Sequence, residues 1–166
     1  MKEIKIQEYK ENVFNAIGKQ WMLISAKKEG CVNTMTASWG GMGVIWNRNV
    51  ATIYVRPQRY TKEFIDNSDY FSLCFFDESW RPKLSYLGSV SGKDEPKITQ
   101  AGLTVLDQDE APYFAEAKLI MICRKLYKQA LEKDCFMDVN LYDQNYPNDD
   151  LHVMYLGEVV KIIENK

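Results

Sequence analysis

Residues 50–61 read VATIYVRPQRYT, and this stretch decides how the chain folds. Its first half is a run of apolar and β-branched residues, which is typical of a buried β-strand. Pro57 fixes part of the following loop without needing a backbone donor. A short helix is predicted next, near residues 61–67. The stretch therefore predicts a strand, a rigid loop and a helix start in close succession.

Similar strand patterns lie on both sides of this stretch. Together with residues 50–55, about six strands are predicted, the others at residues 21–26, 31–38, 70–76, 116–129 and 152–163. Between them we expect two further short helices at 9–18 and 80–92, a turn at 27–30, a flexible bend at 39–43 and an acidic loop at 138–150. Many turn-bounded strands in one small domain predict a closed or partly closed antiparallel barrel.

The composition excludes several classes of protein. The chain has 166 residues, 46% hydrophobic and 27% charged, with a net charge of -2, so it is neither disordered nor broadly basic, and no nucleic-acid partner is expected. No run approaches the roughly 20 apolar residues of a membrane span. The charged first residues, MKEIK, lack the apolar core of a signal peptide. We therefore expect a single-domain, cytoplasmic protein with no membrane partner.

The cysteines and the histidine do not predict a metal site. The four cysteines are dispersed without a C-x-x-C pair, and His152 is the only histidine. We expect the cysteines to be small buried side chains, as is usual in a reducing compartment. The chain also lacks a phosphate-binding P-loop, a Rossmann fingerprint and an H-E-x-x-H motif, and the GSVSG run at residues 88–92 has valine where a nucleophile elbow has serine.

Two segments carry candidate binding chemistry. Residues 56–61 place two arginines, a hydroxyl group and a helix start in six positions, and arginine forks and free helix amides both suit phosphate. On the strand at residues 31–38, alternation puts Thr34, Thr36 and Ser38 on one face, where they could bind a heteroaromatic edge or a phosphate. The alternatives are a solvated basic loop and a polar outer face. Together the two segments could hold both ends of a phosphorylated ring, and the 13% aromatic content suits such a pocket.

The order and spacing of these segments resemble the flavin reductase family. The resemblance rests on residues 33–40 (NTMTASWG), 56–61 (RPQRYT), 91–92 (SG), 157–159 (GEV) and His152, and it extends from about residue 21 to 160. It implies a mainly β fold, an antiparallel split β-barrel with a few short helices, in a single domain over residues 1–166. It also implies a homodimer with FMN near the subunit interface.

The resemblance assigns roles to particular residues. It implies that the hydroxyl-rich strand contacts the cofactor, that the arginine loop grips the phosphate, that a second loop lies near the cofactor, and that a histidine faces the flavin or the nicotinamide. In that order, the implied residues are Thr34, Met35, Thr36, Ala37, Ser38 and Trp39; Arg56, Gln58, Arg59, Tyr60 and Thr61; Ser91, Gly92 and Lys93; and His152. The alternative for His152 is a strand residue whose ring is satisfied within the fold.

The implied activity is an NAD(P)H-dependent flavin reductase that passes a hydride from nicotinamide to flavin. The co-substrate would be NADH or NADPH, and the electron acceptor free flavin or a protein. A non-enzymatic, flavoredoxin-like FMN electron carrier and a ligand-binding barrel without a redox role are the alternatives. Many relatives read Asp-Lys-Phe after their Ser-Gly loop, whereas this chain reads GKDEPKI at residues 92–98. The acidic segment 138–150 is expected to be peculiar to this branch.

Overall fold

The computed structural model describes residues 1–165, which form ten strands. These are β1 (Lys2–Ile4), β2 (Met22–Lys28), β3 (Cys31–Ala37), β4 (Gly40–Ile45), β5 (Arg48–Val55), β6 (Tyr70–Phe75), β7 (Val105–Leu106), β8 (Tyr113–Phe114), β9 (Leu119–Ala130) and β10 (Val153–Glu164). The longest, β9 and β10, pair with each other over most of their length. The expected strands are all present, and the count of about six was too low because β1, β4 and the short β7–β8 pair were not predicted.

The main sheet is antiparallel and runs in the order β3-β2-β6-β9-β10-β5-β4, with β1 added to one end of β10. Its two edge strands, β3 and β4, follow each other in the chain through Ser38 and Trp39. The chain therefore passes from one edge of the sheet to the other at the point where the barrel is open. The predicted antiparallel split barrel is confirmed.

Short helices fill the connections. They are α1 (Val13–Asn15), α2 (Tyr60–Asp66), α3 (Arg81–Ser89), α4 (Lys97–Gln100) and α5 (Val139–Asn145), with a π-helical turn at Ala16–Gln20 after α1. Helices α2 and α3 both pack against β3. Within residues 1–165, no helix is long and apolar enough to cross a membrane.

The central strands are buried on both faces. Along β9, Leu119, Met121 and Cys123 belong to one buried cluster, whereas Ile120 and Ile122 belong to another. The second cluster includes residues of α3 and of the β7–β8 hairpin, which cover the outer face of the sheet. This arrangement explains why the sequence of β9 is continuously apolar at its start instead of alternating. Two of the cysteines, Cys74 and Cys123, are buried as expected, but Cys31 and Cys135 are exposed.

Two predictions about local structure were wrong. Residues 39–43 are not a flexible bend, because Gly40 begins β4 and pairs with Ile53 of β5. A Cβ on Gly40 would lie 2.7 Å from the carbonyl oxygen of Thr52, so this glycine permits a close strand approach. Residues 138–150 are not only a loop, because Asp138 caps helix α5 by accepting a hydrogen bond from the backbone of Asn140. The helix was not predicted because the acidic composition of the segment suggested a loop.

Other element boundaries also differ from the predictions. The first helix does not end at Gly18; it begins after Asn12, whose side chain caps it, and the π-helical turn continues to Gln20. Strand β2 extends through Lys28, which shortens the predicted turn to its last two residues. The helix expected at 80–92 ends at Ser89, so the loop that contains Ser91 and Gly92 is free to approach the arginine loop.

Candidate functional site

A cavity lies at the opening of the barrel, beside β3 and the loop that follows β5. Its volume is about 240 Å³, and an adjoining cavity of about 210 Å³ shares Met35, Arg56 and Arg59 with it. The first cavity is lined by Met35, Thr36, Ala37, Ser38, Trp39, Tyr54, Arg56, Arg59 and His152. The second is lined by Met35, Arg56, Gln58, Arg59, Tyr60, Thr61, Ser89, Val90, Ser91, Gly92 and Lys97. All the predicted site residues except Thr34 and Lys93 therefore line this double cavity.

One end of the cavity, formed by Arg59, Lys97 and Thr61, is called the anion end. The Arg59 side chain donates one hydrogen bond, from Nη1 to the carbonyl oxygen of Gly88 at 2.7 Å. Lys97 is only 3% exposed, and its ammonium group donates to two backbone carbonyl oxygens at 2.9 and 3.0 Å. Among residues 1–165, no carboxylate forms an ion pair with either cation.

The charges at the anion end oppose each other. Burial lowers the pKa of Lys97 to about 8, and the positive charge of Arg59 contributes to that shift. Burial and the charge of Arg56 likewise lower the pKa of Arg59. A buried ammonium group beside a half-buried guanidinium is electrostatically unfavourable without a counter-ion, and a bound anion would relieve that repulsion. The donor set of the anion end thus fits a phosphate group.

Thr61 completes the anion end. Asn33 is buried, and its Nδ2 donates to Oγ1 of Thr61 at 3.0 Å. The hydroxyl proton of Thr61 has no acceptor among residues 1–165, so it remains available for a ligand. A Cβ on Gly92 would lie 2.3 Å from Oδ1 of Asn33, so only glycine lets the second loop pass over this amide. Ser91 stands beside it and accepts a hydrogen bond from the backbone of Lys93.

Arg56 and Gln58 have a different set of partners. Nη1 of Arg56 forms an ion pair with Oδ2 of Asp150 at 2.5 Å, and its Nη2 donates to the carbonyl oxygen of Asn145 at 2.9 Å. Nε2 of Gln58 donates to the same oxygen of Asp150 at 2.7 Å. The hydrogen bond from Gln58, followed by that from Arg56, lowers the pKa of Asp150. The acidic segment therefore neutralises the first arginine of the loop.

The other end of the cavity is lined by Trp39, Tyr54 and His152, with Tyr146 packed against His152, and this group of four is called the aromatic end. The His152 ring centroid lies 5.1 Å from that of Trp39, 6.5 Å from that of Tyr54 and 5.6 Å from that of Tyr146. Nδ1 of His152 forms a hydrogen bond of 2.8 Å with the hydroxyl of Tyr146. Burial, and then the charge of Arg56, lowers the pKa of His152 to about 4, so the imidazole is neutral at pH 7.

The hydroxyl row on β3 is largely used within the fold. Thr34 is fully buried; its hydroxyl donates to the carbonyl oxygen of Ile24 and accepts from Ser25. The hydroxyl of Thr36 donates to the carbonyl oxygen of Leu84 at 2.6 Å. Because β3 is an edge strand in the described chain, its outer backbone amides and carbonyls remain without a strand partner. These backbone groups, more than the threonine hydroxyls, can bind the edge of a ring.

Lys93 lies outside the cavity. Its ammonium group pairs with Glu63 at 2.8 Å and lies 4.8 Å from the ring centroid of Tyr60. Two lining residues, Lys97 and Tyr54, were not predicted from the sequence, and neither was Tyr146, which bonds to His152. The lysine of the Asp-Lys-Phe triplet in many relatives is a signal that could have indicated Lys97, and Tyr146 was hidden in the segment predicted as a loop. Within residues 1–165, no cluster of three His, Cys, Asp or Glu side chains could hold a metal ion.

Comparisons with known proteins agree with this architecture. A curated relative, an uncharacterised protein of Aeropyrum pernix, is 30% identical over 99 residues, which are 58% of this chain but only 37% of the relative. Two solved structures are similar in fold. They are a flavoredoxin from Methanosarcina acetivorans (23% identity, 89% of this chain and 69% of that one, TM-score 0.68) and an FMN-binding domain of a flavin reductase-like enzyme from Shewanella baltica (18%, 97% and 75%, TM-score 0.70).

A third solved structure, an FMN-binding protein from Thermus thermophilus with bound 1-cyclohex-2-enone, shares 20% identity, 99% of this chain and 80% of that one, with a TM-score of 0.66. The sequence profile described as the flavin reductase like domain matches residues 14–166, which is almost the whole chain. The barrel, the split between its edge strands and this match lead to one conclusion. The chain belongs to the flavin reductase-like domain family.

Proposed function

We propose that this protein binds FMN in the double cavity and acts as an NAD(P)H-dependent flavin reductase. The observation that carries the proposal is the anion end, where the half-buried Arg59 and the buried Lys97 line the same cavity and, within residues 1–165, neither forms an ion pair with a carboxylate. A phosphate there would neutralise both cations, and the aromatic end lies where the same ligand would extend. Membership of the family, and the FMN-binding proteins among its structural neighbours, support the same cofactor.

The residues fit the parts of FMN in a definite order. Arg59, Lys97 and the hydroxyl of Thr61 would hold the phosphate, with Ser91 and Tyr60 beside them. The backbone edge of β3 from Met35 to Ser38 would bind the ring edge. Arg56 and Gln58 would support the site through Asp150 without themselves being the main phosphate ligands. Thr34 would act from inside the core, and Lys93 from the rim.

The side chains would position and shield the reaction. When bound, FMN supplies the hydride-accepting chemistry, so the protein needs no nucleophile. Trp39 and His152 would limit the face on which a nicotinamide ring stacks, and His152, neutral at pH 7, would orient that ring by a hydrogen bond without adding charge. Among residues 1–165, no carboxylate lines the double cavity, which agrees with a site that positions its ligands and leaves the chemistry to the cofactor.

An electron carrier with permanently bound FMN is the second candidate. The fold similarity to the flavoredoxins of Methanosarcina acetivorans and Desulfovibrio vulgaris favours it. The two candidates differ in whether a nicotinamide reaches the flavin. In the first, the electron acceptor is free flavin or a protein, and in the second it is a protein.

We also propose that the protein is a homodimer. Strand β4 and the turn after it expose Val44 and Trp46, and the exposed ring of Tyr127 contacts Trp46 at a centroid distance of 6.2 Å. Val160 on β10 is exposed on the same sheet. An apolar surface of this kind on a sheet is typical of subunit interfaces. Light scattering should give the mass of two chains, and a single-chain mass unchanged by FMN would contradict this assembly.

The decisive experiment is a flavin titration followed by anaerobic reduction. The absorbance spectrum of the purified protein should change on adding FMN, with saturation at one FMN per chain. Stopped-flow mixing with NADH and with NADPH should then bleach the bound flavin. Binding without bleaching by either nucleotide would favour the electron carrier, and no binding would leave a barrel without a redox role.

A further inference from the structure

The hydrogen bond between Tyr146 and His152 determines what the aromatic end offers to a ligand. We propose that Tyr146 fixes His152 in the tautomer that carries its proton on Nε2, so that the cavity presents a hydrogen-bond donor at this position. Tyr146 is then a positioning residue, supplied by the end of the acidic segment 138–150. The consequence for ligand recognition rests on the proposed function, but the tautomer itself does not.

The packing of the two rings holds the Tyr146 hydroxyl against His152. The Tyr146 oxygen lies 2.8 Å from Nδ1 of His152, and the ring planes are nearly perpendicular, at 79°. Tyr146 is buried at the C-terminal end of α5, against the rings of Phe136 and Tyr142 and beneath the guanidinium of Arg56, whose Cζ lies 5.2 Å from its ring centroid. The hydroxyl is therefore held in place from several sides.

The protons available on the two side chains determine the direction of their hydrogen bond. A neutral histidine has one donor and one acceptor nitrogen, and a phenol has one proton to donate. Within residues 1–165, the only hydrogen-bond partner of the Tyr146 hydroxyl is Nδ1 of His152. If Nδ1 carried the proton, the hydroxyl proton would have no acceptor in this part of the chain. The arrangement that uses every group makes Tyr146 the donor and Nδ1 the acceptor, which leaves the histidine proton on Nε2.

The surroundings of the imidazole favour its neutral form. The charged groups that face it are Arg56, Arg59 and Asp150, and Asp150 is already paired with Arg56. Burial and the two arginines keep the ring neutral at pH 7, so the choice between tautomers is the relevant one. His152 lines the cavity, and its Nε2 has no partner among residues 1–165. The Nε2–H group of His152 is therefore available to donate a hydrogen bond to a ligand.

This assignment restricts what binds against His152. The matching ligand atom is an acceptor, such as a carboxamide oxygen or a carbonyl oxygen of a flavin or of another substrate. An amide N–H or a hydroxyl proton would meet a donor and leave both groups unpaired, which is unfavourable in a buried site. The site is thus selective for acceptors at this point, and the selection comes from Tyr146, which need not touch the ligand.

The presence of a single histidine makes a direct test practicable. Protein labelled with ¹⁵N-histidine and free of flavin gives one pair of ring nitrogen signals in a long-range ¹H–¹⁵N spectrum. At neutral pH we expect a protonated Nε2 and an unprotonated Nδ1 in the natural protein. Tyr146→Phe should populate the other tautomer measurably and raise the pKa at which His152 titrates, because the neutral ring loses its donor.

Tyr142→Phe is the matched control. Tyr142 is a buried tyrosine on the same helix, but its hydroxyl bonds to Asp149 and does not reach His152. This variant should leave the histidine signals as they are in the natural protein, and circular dichroism should show that both variants are folded. A proton on Nδ1 in the natural protein, or an unchanged tautomer in folded Tyr146→Phe, would overturn the proposal. Because no flavin is present, neither result depends on whether the protein reduces flavin.

Discussion

Two arginines only three residues apart, Arg56 and Arg59, have opposite surroundings. Arg56 pairs with Asp150 and with a backbone carbonyl of the same acidic segment. Within residues 1–165, the side chain of Arg59 bonds only to the carbonyl oxygen of Gly88, and the charges that lower its pKa and that of Lys97 are positive. The comparison teaches that an arginine motif does not by itself identify a phosphate ligand. The partner that decides the role of Arg56 lies 94 residues further along the chain.

The strongest test of this difference is Arg59→Ala. A charge-assisted contact with phosphate is worth about 1.5–3 kcal/mol, so the dissociation constant of FMN should rise about ten- to a hundredfold. Riboflavin, which lacks the phosphate, should be affected far less. Fluorescence titration with the two ligands measures both effects. Lys27→Ala is a suitable control, since Lys27 pairs with Asp107 outside the cavity, and equal losses for FMN and riboflavin would mean that Arg59 acts through folding.

A smaller effect is expected for Lys97→Met, which removes the charge and keeps most of the side chain's volume. FMN affinity should fall about five- to thirtyfold, which corresponds to about 1–2 kcal/mol. The pKa of Lys97 is about 8, so the natural protein should bind FMN progressively less well as the pH rises above that value and the ammonium group is lost. Affinity measured across this pH range should show the decline in the natural protein and not in the variant.

The stability of the flavin-free protein should change with pH in the opposite direction to its affinity for FMN. The pKa of Lys97 is lower in the folded protein than its ordinary value of 10.5, so the unfolded chain binds more protons between about pH 8 and that value. The free energy of unfolding without flavin should therefore rise with pH in this window, as far as Lys97 is concerned. Denaturant titrations of the natural protein and of Lys97→Met separate this contribution from those of other groups. A Lys97 contribution that falls with pH would contradict the assignment.

Asp150→Asn removes the carboxylate that pairs with Arg56, so that Arg56, like Arg59, is left without an anionic partner. If Asp150 serves mainly to neutralise Arg56 and to hold the acidic segment, the variant should lower the melting temperature and change FMN affinity less than about threefold. The pKa of Asp150 is lowered in the folded protein, so its contribution to stability is present at neutral pH and is lost as the pH falls through that pKa. The natural protein should therefore lose more stability on acidification than the variant. A large loss of FMN affinity would make Arg56 a cofactor ligand after all.

The smallest expected effect on FMN binding comes from His152. His152→Ala and His152→Gln should leave FMN affinity nearly unchanged and raise the apparent KM for the nicotinamide about two- to tenfold, as expected for one neutral hydrogen bond. Anaerobic reduction rates, normalised to bound FMN, check this. If both variants reduced bound FMN as fast as the natural protein at all nicotinamide concentrations, but melted at a lower temperature, the role of His152 would be structural only.

The sequence predicted most of the longer secondary-structure elements, but it did not predict which side chains pair with each other. Residues 50–61 predicted β5, the loop and α2 because local propensities decide such segments. The pairing of Arg56 with Asp150 could not be predicted, since nothing near Arg56 marks the acid that neutralises it. The burial of Lys97 was equally hidden, because it results from the way the loop after α3 packs. The β4 strand was mistaken for a bend, because glycines that permit close strand approach look the same in sequence as glycines that turn.

The position of β10 in the sheet has a consequence for synthesis in the cell. This strand lies between β9 and β5, and His152 precedes it directly. Before β10 has emerged from the ribosome, the nascent chain can form the β4–β5 hairpin. It cannot yet join that hairpin to β9, because β10 lies between β9 and β5. The cavity therefore lacks His152, and β5 lacks its second strand partner, until β10 inserts in a slow, non-local step. We therefore expect the proposed FMN to bind fully only after β10 has been translated, and flavin fluorescence would report the arrival of that strand.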